Sequence, residues 1–202
     1  MRVGLVDYHT GNLGSLERSL ARLGVEVQRC SRAEELAEVQ RLVLPGVGHF
    51  QTAMRNLQAQ QLTGPLHHCA YERRIPILGI CLGMQLMARH SQEAESPGLG
   101  WVEGSVQHFQ LPPNSQSKVP HIGWNRLQAR HFHPLLEGIE ADQEFYFTHS
   151  YHFGELACLL AETTHGYAFP SVLAQDNLLG VQFHPEKSHQ AGQRLLENFL
   201  AL

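Results

Sequence analysis

The segment Gly79-Ile80-Cys81-Leu82-Gly83 closes an apolar run and opens a helical pattern, so it sets a nucleophile-type side chain on a strand-to-helix turn between two glycines. The glycines permit the tight turn, and the helix N-terminus behind the sulfur supplies partial positive charge that favours thiolate, the attacking species. Val181-Gln182-Phe183-His184-Pro185-Glu186 offers the matching base at the end of another apolar strand. Glu186 is placed to hold the second ring nitrogen of His184 and to stabilise the imidazolium. Pro45-Gly46-Val47-Gly48 follows a third apolar run, and its small residues leave backbone N–H groups free for a developing oxyanion, with the Leu82 N–H as second donor. Each feature alone has an ordinary alternative: a core cysteine, one histidine among 14, a plain turn. Together they predict a Cys-His-Glu acyl-transfer site, with Cys81 on an exposed turn.

Such a site requires strand ends gathered on one edge of a parallel sheet, and the pattern of elements supplies them. Val3–Val6 is a short apolar run. Leu13, Leu16, Leu20 and Leu23 mark one face of a helix that Gly24 closes, and Val25–Val27 restarts a strand. Ser31 and Glu34 form a capping-box pattern for a second helix, and Leu42-Val43-Leu44 is stopped by Pro45-Gly46. Phe50, Met54 and Leu57 carry a helical face, Leu66–Glu72 a further helix, Ile75–Ile80 a buried strand, and Gly83–Arg89 the helix after the cysteine. From Trp101 the pattern turns to strand-like pieces at Trp101–Val106, Ile122–Leu127, Phe145–Thr148, Leu156–Leu160 and Val172–Ala174. Leu178–Phe183 makes a last strand, and Ser188 is expected to cap a final helix. The expectation is an α/β protein: an open, mostly parallel sheet flanked by helices, flavodoxin-like, with extra antiparallel strands in the second half.

Composition is consistent with one domain spanning residues 1–202. With 43% hydrophobic and 17% charged residues the chain is neither disordered nor fibrous, and no apolar run approaches the roughly 18 residues of a membrane span. Fifteen Lys plus Arg against nineteen Asp plus Glu give a charge of −4 without a basic tract, which argues against nucleic acid as a partner. Cys30, Cys69, Cys81 and Cys158 lie far apart, as expected for reduced thiols in a cytoplasmic protein without a targeting segment. His67-His68-Cys69 and His131-Phe132-His133 lack further ligands at fitting spacing, so neither a metal nor another cofactor is expected.

The motifs G-I-C-L-G-M-Q (Gly79–Gln85), P-G-V-G (Pro45–Gly48) and H-P-E (His184–Glu186) resemble those of the class I glutamine amidotransferases. P-H-I-G-W-N (Pro120–Asn125), F-Y-F-T-H-S-Y (Phe145–Tyr151) and G-V-Q-F-H-P-E-K-S (Gly180–Ser188) narrow the resemblance to the glutaminase-subunit family of imidazole glycerol phosphate synthases, nearly end to end. The resemblance implies Cys81 as nucleophile, His184 as base and acid, and Glu186 as orienting partner. It implies an oxyanion hole around Gly46 and Val47, and glutamine held by Gln85, Glu93, His149, Ser150 and Tyr151. Glu93 also suits the substrate's α-ammonium.

The resemblance further implies a heterodimer with a (β/α)₈-barrel cyclase that receives the ammonia. The contact surface would include Asn12, Pro120, His121, Trp124, Asn125 and Lys187. Thr148 stands where the family often has Val, and it is expected to lie outside the chemistry. Two rivals differ in kind: a free-standing cysteine hydrolase such as a γ-glutamyl peptidase, which would have no use for the Trp124 and Lys187 signature, and a non-catalytic module, which would show a damaged triad.

Overall fold

The computed structural model describes residues 1–11 and 13–202; Asn12, assigned above to partner contact, lies outside the described residues. In chain order the elements are β1 (Arg2–Val6), α1 (Leu13–Arg22), β2 (Glu26–Cys30), β3 (Arg41–Leu44), α2 (Phe50–Ala59), α3 (Thr63–His67), β4 (Ile77–Ile80) and α4 (Leu82–Leu86). There follow β5 (Ala88–Ser91), β6 (Ser96–Pro97), β7 (Val102–His108), β8 (His121–Arg126), β9 (Gln128–Ala129), β10 (Glu144–His149) and β11 (Tyr151–Phe153). The chain ends with β12 (Leu159–His165), β13 (Tyr167–Gln175), β14 (Leu178–Val181) and α5 (His189–Ala201). No helix among the described residues is long and apolar enough to cross a membrane.

The main sheet runs β2-β1-β3-β4-β14-β13-β12-β9. Its first five strands are parallel, and β13, β12 and β9 continue it antiparallel. β8 pairs with β10, and β11-β7-β5-β6 form a third sheet, which accounts for the strand-rich second half. The central strands are buried on both faces because two cores lie against them. Leu42 and Leu44 enter one core with Phe50, Met54 and Leu57 of α2, whereas Val43 enters the other with Leu16 and Leu20 of α1 and Leu195, Leu196 and Phe199 of α5. Side-chain alternation on β3 thus forces helices onto both faces of the sheet.

Several local expectations change on contact with tertiary structure. The helix after Cys81 stops at Leu86 rather than Arg89, because the carbonyls of Leu86, Met87 and Ala88 accept from Leu99, Trp101 and Val102, and Gly100, which turns Ala88–Ser91 into a strand. No second helix grows from Ser31. The Glu35 carboxylate accepts the N–H groups of Ser31 (2.7 Å) and Arg32 (3.0 Å) and closes a single 3₁₀ turn, Ala33–Leu36. The helix expected at Leu66 begins at Thr63 and passes into a π-helical turn, His68–Glu72. The strand expected at Leu156–Leu160 lies later, at β12. Ser188 occupies the N-cap of α5 without capping it by side chain, since its hydroxyl donates to the His184 carbonyl (2.6 Å) and accepts from the Tyr146 N–H (3.0 Å).

The strand end of β3 and the turn after β4 are packed backbone to backbone. A Cβ on Gly83 would sit 1.7 Å from the Leu44 carbonyl oxygen, and one on Gly79 would sit 2.7 Å from Met84 Cα. Neither obstacle is a flexible side chain that can swing aside. Gly83→Ala is therefore expected to cost about 3 kcal/mol or more and to lower Tm by roughly 10 °C; a thermal melt within a degree or two of wild type would show that this contact has slack.

Candidate active site

Cys81 has φ 54° and ψ −110°, a conformation that L-residues avoid and that a strand-to-helix nucleophile turn imposes. Its N–H donates to the Val181 carbonyl (2.8 Å), extending the β4–β14 ladder by one step past the Val181–Ile80 pair. The turn is not exposed as expected. Cys81 is buried on the floor of a cavity because β10 and the Pro45–Gly48 turn rise around it.

The same register carries the chain beyond β14 to His184, whose own N–H is fixed on the Tyr146 carbonyl (2.9 Å). His184 Nδ1 lies 2.9 Å from Glu186 Oε1, and Nε2 makes no hydrogen bond, so the second ring nitrogen is left for the sulfur and its substrate. Burial opposes a charge on this ring. Its neighbours Cys81 and Glu186 outweigh it and hold His184 up to about 10. His184 is therefore the charged member at rest, an imidazolium set between the sulfur and the Glu186 carboxylate.

The cavity, about 310 Å³, is lined by Val47, Gly48, Cys81, Leu82, Gln85 and Glu93 on one side and by Pro120, Thr148, His149, Ser150 and Tyr151 on the other. Every residue assigned to glutamine from the sequence lines it, apart from Gly46. Gly46 is packed beneath, where a Cβ would lie 2.5 Å from the Tyr8 hydroxyl and 3.0 Å from Leu82 Cβ. Tyr8 is fully buried and donates its hydroxyl to the Pro45 carbonyl. Glu93 uses Oε2 to accept the Phe50 N–H at the start of α2 (2.7 Å) while its carboxylate borders the cavity.

Two residues at the sulfur escaped the reading from sequence. Thr148 was set outside the chemistry, yet its carbonyl lies 3.9 Å from Cys81 Sγ, because β10 runs directly above the turn. Gln182 is fully buried and directs Nε2 at the same sulfur (3.7 Å). A lone amide between Val181 and Phe183, inside an apolar strand, was the available signal.

The histidines of the second half form a network whose protons can be assigned. Burial first, and neighbouring imidazoles second, push His149 well below its usual value and His121 to about 3; burial likewise takes His152 to about 4. All three are neutral. His149 Nδ1 faces the Tyr151 carbonyl (2.8 Å) and must donate to it, so its Nε2 accepts from His121 Nδ1 (3.1 Å), and His121 Nε2 accepts from the Asn125 amide (3.3 Å). His121, grouped with the contact surface from sequence, is therefore turned inward; it is buried and stacked on His165 and Phe147. Asn125 is half-buried and also donates to the Thr164 carbonyl. Pro120 is exposed and also borders the cavity.

Trp124 is exposed and stacked on His189 (centroids 4.9 Å apart) at the wall of an open groove of about 990 Å³ that also includes Lys187. Lys187 Nζ sits 5.5 Å above the Tyr146 ring. The remaining histidine clusters serve structure: His67 Nδ1 accepts the Trp101 indole N–H, and His133 Nδ1 accepts the Leu135 N–H.

A cysteine on a strained strand-end turn at the floor of a pocket, with a buried histidine–glutamate pair beside it, suits a covalent hydrolase built on a parallel sheet. The family model for class-I glutamine amidotransferases matches residues 4–202, and the chain belongs to that family. Among curated relatives, the imidazole glycerol phosphate synthase subunit HisH of Salinibacter ruber is 43% identical over 98% of this chain and 93% of its own. The HisH subunit of Methanocaldococcus jannaschii is 40% identical over 99% of both chains. A solved structure described as a glutamine amidotransferase superposes with a TM-score of 0.77 at 23% identity, covering 98% of this chain and 97% of that one, and shares the fold.

Two expectations follow from the geometry. Burial pushes Cys30 up to about 12 and raises Cys69 and Cys158, so an electrophilic glutamine analogue should alkylate Cys81 first, as read by peptide mass mapping; even labelling of all four would remove the case for activation. The neutral histidines also couple stability to pH. Below about 6.5 the unfolded chain binds protons that folded His121 and His152 refuse, so stability falls with pH, by about 2 kcal/mol for each of the two at pH 5. Urea unfolding at pH 7.5 and pH 5 should show the drop, and His152→Gln should remove its share.

Proposed function

We propose that this chain is the glutaminase subunit of an imidazole glycerol phosphate synthase, a single amidotransferase domain working in the cytoplasm as a heterodimer with a cyclase. The observation that carries this reading is Cys81 on a cavity bordered by Gln85, Glu93 and Tyr151, with the paired His184 and Glu186 beside the sulfur, in a chain whose curated relatives bear the name of that subunit over nearly full length. The same relatives favour a synthase subunit over a free-standing γ-glutamyl peptidase.

In the proposed mechanism the Cys81 thiolate attacks the side-chain amide carbon of glutamine, and the oxyanion is met by N–H donors around Gly46, Val47 and Leu82. His184, protonated at rest, gives its proton to the departing ammonia. Neutral His184 then takes a proton from water, which hydrolyses the γ-glutamyl thioester to glutamate and restores the thiolate–imidazolium pair. Glu186 keeps Nδ1 protonated throughout. Ammonia released to solvent is lost to synthesis, so a barrel-type cyclase that makes imidazole glycerol phosphate and aminoimidazole carboxamide ribotide is the fitting acceptor. The Trp124 and Lys187 groove supports the reading of a docking face there.

Glutamate release should be slow for the isolated chain and rise on the order of 10²–10³-fold in kcat when the cyclase and its ribotide ligand are present. Cys81→Ala should lose at least about 10³-fold and Glu186→Gln less. Trp124→Ala and Lys187→Ala should blunt the stimulation and spare the basal rate. Equal turnover with and without the loaded cyclase would return the free-standing hydrolase to favour.

A further inference from the structure

We propose that Gln182 is a dedicated hydrogen-bond donor to the Cys81 sulfur, clamped in that orientation by Gln85, and that it sustains the thiolate required by the glutaminase reaction proposed above. The orientation of a glutamine amide follows from its partners, and here the chain of partners begins at a group with one possible role. The Tyr151 carbonyl can only accept, so the Gln85 atom at 2.8 Å from it is the nitrogen. The second N–H of that nitrogen reaches the Gln182 side chain at 3.0 Å, which must therefore present its oxygen. The Gln182 nitrogen is left facing Cys81 Sγ at 3.7 Å. Flipping either amide would set two N–H groups against each other or leave a carbonyl facing a carbonyl.

The sulfur thus lies between opposite neighbours. The Thr148 carbonyl at 3.9 Å receives a thiol S–H and repels a thiolate, whereas the Gln182 N–H serves a thiolate. Donation to the charged form favours that form. Gln182 is fully buried, flanked in sequence by apolar Val181 and Phe183, and a buried amide is costly unless both its ends are used. Both ends are in use, one on Gln85 and one on sulfur.

Two replacements separate this role from its alternative. Gln182→Met keeps volume and removes donor and acceptor. Gln182→Glu keeps an acceptor for Gln85 but, once ionised, offers no N–H and puts negative charge beside the sulfur. The rate of Cys81 alkylation by iodoacetamide, followed against pH on the full chain, should reach its half-maximum about one unit higher in Gln182→Met, hence roughly tenfold slower at pH values below the wild-type half-maximum. Gln182→Glu should be slower still. With the cyclase present, kcat should fall in the same order while KM for glutamine changes little, and thermal unfolding of each variant reports whether it has folded. A Gln182→Glu enzyme that matches wild type, beside a Gln182→Met enzyme with raised KM, would make Gln182 an anchor for Gln85 only and overturn the proposal. Unchanged alkylation profiles in two folded variants would overturn it as well. Glutamine hydrolysis that survives in Cys81→Ala would instead remove the glutaminase reading itself, whatever the Gln182 variants do.

Discussion

One register decides the site: Val181 of β14 lies opposite Ile80 of β4 in a parallel pair at the middle of the main sheet. It brings Cys81 and the residues after β14 out of the same sheet edge side by side, and the Cys81 N–H bond to the Val181 carbonyl locks the step. A slip of one residue would move every β14 side chain to the other face and carry His184 away from the sulfur. Leu178 and Leu179 resist that slip, since they feed different cores on opposite faces of the sheet. The hydrophobic effect, acting on residues that touch no substrate, thereby fixes the distance between nucleophile and base.

Around that register the electrostatics are arranged by burial. His184 would be neutral in so dry a place were it not for Cys81 and Glu186, and its charge therefore depends on both neighbours. The neighbouring imidazoles of His121, His149 and His152 have no such carboxylate beside them and stay neutral, acting as directional links. Two groups of the same residue type thus take opposite roles within one small region, and the difference is the presence of a buried acid.

The fold was legible in the chain because it rests on local patterns, apolar runs ending in glycine or proline, and the pairing of His184 with Glu186 was legible as two residues at one such end. The polar lining was less so. Glu35 takes the place of Ser31 and Glu34 as organiser of its turn through contacts only three and four residues away, a choice between adjacent acids that the pattern leaves open, and the carbonyls of Leu86–Ala88 are captured by residues 99–102, partners that spacing does not reveal. His121 sits among motif residues read as surface, but alternation on β8 turns it inward while Ile122 and Trp124 remain exposed. Gln182 and the Thr148 carbonyl gain their meaning only when β10 and β14 meet at the sulfur.

The interlocked glycines have a consequence for motion. With Gly83 against the Leu44 carbonyl and Gly46 wedged between Tyr8 and Leu82, the Pro45–Gly48 turn cannot translate toward or away from the sulfur without breaking packing on both sides. Its free coordinates are torsional. Val47 is exposed, and Gly48, at φ 97°, has open space where a Cβ would be. A peptide plane between them can rotate while every buried contact stays in place, so the turn can change which dipole it shows the cavity at almost no expense in stability. The scaffold therefore sets torsional freedom directly beside immovable backbone, within one turn of four residues.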